Sequence, residues 1–395
     1  MSGASLPLKR TLLAMLGGTA PPQLGGEAWD ALDAMAQEHR LQPLLAWQFE
    51  RAGGAWPAPE AIAQGWREAR RLAGVLALAQ GAALRLAADS LARAGIPFMV
   101  LKGPRLAWRC YPEPGLRPMR DLDLLVPHDA VLRAADVLAA AGFSHGRGEA
   151  VLAEALAEDK HLPAMAHAGL GVEVELHHRL SDLPGGHAYR VPQLDPAAAL
   201  ARREQVTLSG VILPAQPPAD LLAHLMVHAL YGHRLDCGPL VLADLHYLLA
   251  TEPVDAGALR RLAEQGGWLR GAELLLALTR RYFGPQPLAL GAEPPEEMLA
   301  AAEDALLQDL SRRRHAIMMS DLLAARSPAA FIAGVTKRLS PPEHVIAREG
   351  GGISRWRFWP VWALRRLGTL GRGMADRRAS REAGRSAALM RWLQG

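Results

Sequence analysis

Over the first 95 positions apolar residues return every three or four places. The segments "EAWDALDAMAQEHRLQPLLAWQFERAG" and "WREARRLAGVLALAQGAALRLAADSLARAG" show this best, which predicts amphipathic helices, with Gly95 closing the second. The period then changes. "IPFMVLKG" (96–103) is a short apolar run ended by glycine and reads as a buried strand, and "PRLAWRCY" follows with Pro104 in a first helical turn. The Pro/Gly-rich stretch 111–118 reads as a loop. "RDLDLLVP" (120–127) reads as a strand stopped by Pro127, and 128–142 as a helix ended by Gly142. "GVEVELHHRL" (171–180) alternates as a strand does, and 204–215 predicts one strand or a hairpin turning at Ser209-Gly210. From about 217 to 325 the helical period returns. The pattern is a small α/β unit between two helical regions. It divides the chain into an N-terminal helical region (1–94), an α/β core (95–215), a C-terminal helical domain (216–330) and a linker with a basic tail (331–395).

Length and composition add little to the pattern and change it in one place. At 395 residues the chain exceeds the usual size of one hydrophobic core. The net charge is +4, but from Gly351 to the C-terminus ten arginines face only Asp376 and Glu382, which leaves the rest of the chain acidic. The basic character therefore belongs to the tail and predicts no specific nucleic-acid partner. Cys110 and Cys237 are the only cysteines, too few for a disulfide framework or a zinc cluster, which fits a reducing cytoplasm. No uninterrupted apolar run approaches the roughly 18 residues of a membrane span. The tail "RWRFWPVWALRR" mixes arginine with tryptophan, as segments lying on an anionic membrane do, so peripheral contact at the inner membrane face is one expectation. Contact with a nucleic acid, packing on the body through Trp356, Trp359 and Trp362, and a free, solvated tail are the others.

The chemistry sits in "RPMRDLDLLVP" (117–127). Side chains two apart on a strand share a face, so Asp121 and Asp123 point the same way. Neighbouring carboxylates raise each other's pKa, and a divalent cation between them removes the conflict. Mg²⁺ uses one or two carboxylates together with substrate phosphates. On the next strand "VEVEL", Glu173 and Glu175 share a face and either could supply a third carboxylate. Without that partner, D-x-D is also what the solvent face of an edge strand looks like. Upstream, Lys102 and Gly103 stand between a strand and a helix, where backbone amides can approach phosphate oxygens. Arg117 enters the D-x-D strand from its loop, within reach of a phosphate, whereas Arg120 should alternate away from Asp121.

These residues resemble a known pattern. "GIPFMVLKGPRLAWRCYPEPGLRPMRDLDLLVP" is similar to the signature block of the uncharacterised nucleotidyltransferase family within the DNA polymerase β-like superfamily, matching at Lys102, Gly103, Tyr111, Arg117, Asp121 and Asp123. The family's acid-x-His strand end resembles Glu175 and His177. Its later helical histidine and aspartate resemble His228 and Asp244. The resemblance implies an α+β fold, a small mixed β-sheet backed by helices. It implies Mg²⁺ (or Mn²⁺) bound by Asp121, Asp123 and Glu175, with Glu175 as metal ligand or base. It also implies a nucleoside triphosphate as substrate, held at Lys102, Gly103 and Arg117. His177, His228 and Asp244 fall behind the metal or on the acceptor side. The acceptor hydroxyl would belong to a small molecule, a glycan precursor or a peptide natural product. One departure stands out. Where the wider superfamily prefers Gly-Gly or Gly-Ser, this chain has Gly103-Pro104, and proline offers neither N–H nor hydroxyl to a phosphate.

Two readings compete with nucleotidyl transfer: kinase-like transfer of the γ-phosphoryl group on the same scaffold, and a non-catalytic nucleotide-binding or scaffold protein, which the Gly103-Pro104 turn favours. His224 and His228, four apart on one helix, lack the neighbouring glutamate of a zinc helix and read as packing and hydrogen-bonding residues.

Overall fold

The computed structural model describes residues 5–146, 148–183, 189–309, 359–364 and 377–395. It opens with three short helices, α1 (Leu6–Leu16), α2 (Gly26–Glu38) and α3 (Gln42–Arg51), and one long one, α4 (Glu60–Arg93). Gly95 follows α4 at φ +65°, the left-handed C-terminal position that glycine fills without strain. β1 (Met99–Val100) leads into a short helix, α5 (Gly103–Arg105), which runs on as a π-helical turn to Cys110. β2 (Asp121–Leu125), α6 (Val131–Ala140), β3 (Phe143–Ser144), α7 (Glu149–Glu158), β4 (Met165–His167) and β5 (Val172–His177) come next. After α8 (Pro196–Arg202), strands β6 (Glu204–Leu208) and β7 (Val211–Ala215) form the hairpin, with Ser209 and Gly210 both at positive φ in its two-residue turn. Helices α9 (Pro218–Val227), α10 (Leu240–Thr251), α11 (Ala256–Gly266), α12 (Leu269–Phe283) and α13 (Glu296–Leu306) follow, and α14 (Arg377–Leu393) lies near the C-terminus.

The seven strands form one mixed sheet in the order β3-β4-β5-β2-β1-β7-β6. β2 is therefore central, paired antiparallel with β1 and parallel with β5. This removes the edge-strand reading of D-x-D. Leu122 and Leu124 of β2, with Val172, Val174 and Leu176 of β5, face a core completed by α4 and α6. The alternate residues, Asp121, Asp123, Glu173, Glu175 and His177, occupy the opposite face. Leu125 continues that face into a small apolar cluster with Met99, Leu101 and residues of α8. One sheet face thus carries carboxylates and the other carries leucine and valine, which is why an apolar run contains two aspartates.

The strands are shorter than their apolar runs. The stretch 96–103 gives only Met99–Val100, because Lys102 turns the chain at φ +37°. The small strands β3 and β4, and helices α7 and α8, have no counterpart in the sequence reading. β3 and β4 are two and three residues long, below the length at which alternation shows.

Helices α1–α3 and α9–α13 do not form two cores. They share one, in which Leu12, Trp29, Leu45 and Trp66 pack with Leu222, Leu242 and Leu275. α4 joins this core through Ala63 and Trp66 and the sheet core through Leu84, Ala87 and Leu91. By length and composition alone α4 is long and apolar enough to cross a bilayer. Its buried positions are divided between the two cores, and Leu72, Val75, Leu76 and Leu78 between them are exposed. The end of the basic tail differs from a free segment. Leu389, Met390 and Leu393 of α14 are buried in the helical core, and Gln394 exchanges two hydrogen bonds with the backbone of Arg190. Trp356 lies outside the described residues. Trp359, Val361 and Leu364 are exposed.

Candidate active site

The parallel register of β2 and β5 sets Asp121 beside Glu173 and Asp123 beside Glu175. Above this sheet face lies a cleft of about 320 Å³, closed on the far side by α9 and α10. Most of the residues singled out from the sequence line it: Asp121, Asp123 and Glu175 with His177 on the sheet face, Lys102, Gly103 and Arg117 beside them, and His228 and Asp244 from the helices across the cleft. Glu173 does not line it and is exposed, so Glu175 is the third carboxylate of the cleft.

Asp123 is the buried centre of the group. Lys102 Nζ lies 3.0 Å from its Oδ2 and His177 Nε2 lies 2.8 Å from its Oδ1. Burial alone would raise the Asp123 pKa, but Lys102 and His177 outweigh it and hold the carboxyl well below the usual range. His177 also reaches Glu175, at 3.4 Å, and its pKa is raised because the two carboxylates overcome its burial. Glu175 is buried too, yet the hydrogen bond from His177 and the neighbouring His161 keep its pKa lowered. Asp121 has no such partner. Burial, then Asp123 and Glu175, push its pKa up to about 6. The donor atoms of Asp123, Glu175 and His177 all lie within 4.8 Å of one another, close enough to share one cation.

Lys102 is a turn residue but not a solvated one. It is buried, at φ +37°, with its backbone N–H donating to Gln216 Oε1 at 3.3 Å. A non-glycine residue held there costs on the order of 1–3 kcal/mol, and the ion pair to Asp123 helps to hold it. Gly103 is needed for a different reason. A Cβ at this position would sit 2.8 Å from Met119 Sδ and 2.9 Å from Arg117 Nη1. Its place is kept free for the arginine.

Arg117 is placed differently from the expected free phosphate ligand. Its Nε and Nη2 donate to Asp244 Oδ1 and Oδ2 at 3.0 and 2.9 Å, and Tyr111 donates to the same Oδ1 at 2.8 Å. Burial opposes the Arg117 charge, but Asp244 more than compensates and its pKa is raised. Asp244 therefore orients Arg117 and leaves the Nη1 edge turned toward Gly103.

The cleft thus holds three carboxylates on adjacent central strands with a lysine–glycine turn and an arginine beside them. The family described as an uncharacterised nucleotidyltransferase matches residues 25–284. The chain belongs to that family. It is accordingly a transferase, and its α+β architecture with one mixed sheet is that of a nucleotidyltransferase core. No curated protein and no solved structure matches the chain.

Two arginines in the cleft of this nucleotidyltransferase escaped the sequence reading. Arg120 lines the cleft beside Asp121 instead of facing away. The strand begins at Asp121, so the alternation that turned Arg120 outward does not apply to it. Arg40 reaches the same cleft from the end of α2, about 80 residues upstream in the chain. Nothing in the sequence marks it; in the structure it sits at φ +55° just after the helix, where glycine is the usual residue. His228 is buried in the cleft wall, where burial and then Lys102 push its pKa well down, so it is neutral. His224 lies behind it against Gln216, at 3.2 Å, and does not join the carboxylates. A second hollow, of about 420 Å³ between α1, α12 and α13, is lined by charges already paired, Arg10 and Arg281 with Glu296 and the buried Glu303.

Proposed function

We propose that this nucleotidyltransferase moves a nucleotidyl group from a nucleoside triphosphate to an acceptor hydroxyl, with Mg²⁺ or Mn²⁺ held by Asp121, Asp123 and Glu175. The observation that carries the reading is the side-by-side register of β2 and β5, which crowds three carboxylates into one cleft. The residues suit a divalent cation. Asp121 has no ion pair among the described residues and has a raised pKa, the state a cation would relieve. His177 lies within ligand distance of the same group and could add an imidazole, a donor that Mn²⁺ accepts more readily than Mg²⁺. When bound, such an ion neutralises phosphate oxygens and lowers the pKa of a hydroxyl that contacts it.

The chain's own residues divide the remaining work. Glu175 is ionised at neutral pH and takes the proton of the acceptor hydroxyl. The hydroxyl oxygen bonds to the α-phosphorus as the bond to the bridging oxygen breaks, and diphosphate leaves. His177 Nε2 holds the Asp123 carboxylate as long as it is not itself a ligand, and Asp244 fixes Arg117, so the arginine does not need to reorganise during transfer.

The test is incubation of the full chain with α- or γ-labelled ATP, a divalent cation and an extract of the source cells. Label transferred from the α position, and lost when Asp121 and Asp123 are both changed to asparagine, is the expected result. Transfer from the γ position alone would make the enzyme a kinase and defeat the nucleotidyl reading. One observation favours the non-catalytic alternative, since Lys102 and His177 already occupy both oxygens of Asp123. It predicts no transfer from either position.

A further inference from the structure

Five basic side chains line the cleft, and three of them have carboxylate partners: Lys102 with Asp123, Arg117 with Asp244, and Lys160 with Asp182 at 3.3 Å. Arg40 and Arg120 have no ion pair or side-chain hydrogen bond among the described residues. They come from different parts of the fold, Arg40 from the turn after α2 and Arg120 from the entry to β2. They are close enough to repel. Burial, then Arg120, press the Arg40 pKa down to about 10, and Arg120 also acts on the adjacent His39. Asp121 offsets part of this but forms an ion pair with neither arginine, and two guanidinium groups held so suit an anion that offers several oxygens at once.

The backbone at Arg40 adds weight. At φ +55°, after the last turn of α2, glycine would cost nothing and arginine is strained. The fold keeps an arginine where it is conformationally unwelcome and points it into the cleft. A chemical need exists at the same place. Pro104 has no N–H to offer a phosphate, and Lys102 is engaged with Asp123. Phosphate oxygens entering the cleft must therefore find their donors on other side chains.

We infer that Arg40 and Arg120, with the free Nη1 edge of Arg117, form a phosphoryl-binding subsite at the rim of the cleft. The phosphoryl groups are the terminal phosphates of the nucleotide or a phosphate carried by the acceptor, and only the first source rests on the nucleotidyl reading above. In the nucleotide case the subsite grips the diphosphate that leaves.

Calorimetric titration of the full chain with inorganic tripolyphosphate, and separately with MgATP, tests the inference. The variants are Arg40→Gly, Arg120→Gln and, as a control for net charge, Arg71→Ala on the exposed flank of α4. Tripolyphosphate affinity should fall about ten-fold or more in each cleft variant and stay unchanged in the control. Arg40→Gly relieves the positive φ, so its melting temperature should equal or exceed that of the wild type, which separates lost binding from lost folding. A parallel fall in MgATP affinity identifies the nucleotide as the source of the phosphates. Loss of tripolyphosphate with MgATP affinity kept assigns the subsite to a phosphorylated acceptor. A wild type that takes tripolyphosphate through these arginines and ignores MgATP defeats the nucleotide reading and leaves the subsite standing. Tripolyphosphate that binds both variants as it binds the wild type, or does not bind the wild type, overturns the inference.

Discussion

Asp121→Asn should make the metal-free protein more stable, although it removes a residue at the heart of the site. The Asp121 carboxyl titrates near 6 in the folded chain against 3.8 for the free side chain, raised by burial and by Asp123 and Glu175. A carboxyl that holds its proton more tightly when folded costs the native state stability as pH rises from about 4 through about 6, because the unfolded chain ionises first. A shift of about two units corresponds to roughly 2–3 kcal/mol against the folded state near pH 7.5, and to about half as much near pH 5. Asparagine keeps the shape and discards the charge. In EDTA near pH 7.5 the variant should therefore melt several degrees above the wild type, with a smaller gain near pH 5. Mg²⁺ or Mn²⁺ should reverse the order by stabilising the wild type and leaving the variant unmoved. Differential scanning calorimetry at the two pH values, with and without the cation, reads all four quantities. A variant that melts below the wild type in EDTA near pH 7.5, or one that gains as much from the cation, would refute the account of three carboxylates in want of a counter-ion.

Three other outcomes follow from the contacts. Asp244→Asn leaves the Arg117 guanidinium buried without its counter-charge and should cost about 3–5 kcal/mol in urea melts, whereas Tyr111→Phe removes one hydrogen bond and should cost about 1 kcal/mol; equal losses would contradict the pairing. Gly103→Ala drives a methyl group into Met119 and Arg117 and should cost about 1–3 kcal/mol, part of which Met119→Ala restores; a Gly103→Ala protein as stable as the wild type would show that the space is not needed. Truncation after Asp376 removes Leu389, Met390 and Leu393 from the helical core and should lower the melting temperature and expose dye-binding apolar surface; an unchanged melt would mean α14 is not docked in solution.

The D-x-D strand, the β6–β7 hairpin and the long helix α4 were legible in the sequence because each carries a period or a turn signal several residues long. Alternation offered Glu175 and Glu173 equally, and only resemblance chose Glu175 and gave roles to His177, His228 and Asp244, since nothing local links residues 121, 175 and 244. The parallel pairing of β2 with β5 and the packing of α10 bring them together, and pairing is a property of the whole sheet. Arg40 was invisible for the same reason, being delivered by a helical region that reads as separate. Arg120 was misread by a rule applied one residue too early. The docking of the last helix was not foreseen, because arginine dominates the composition of the tail. Its apolar residues Leu389, Met390 and Leu393 fall on one helical stripe, and that stripe finds the core.

The length of α4 has a consequence for how the molecule comes apart. Its 34 residues span about 50 Å, anchored at one end in the helical core and at the other under the sheet. If either core melted alone, half of α4 would be left unsupported in water, where a segment of about 15 residues is a marginal helix. The surviving half would then drag frayed backbone out of a core that depends on it. The two layers are thereby coupled into a single cooperative transition. The cleft between them, walled by both, is lost or kept as a unit.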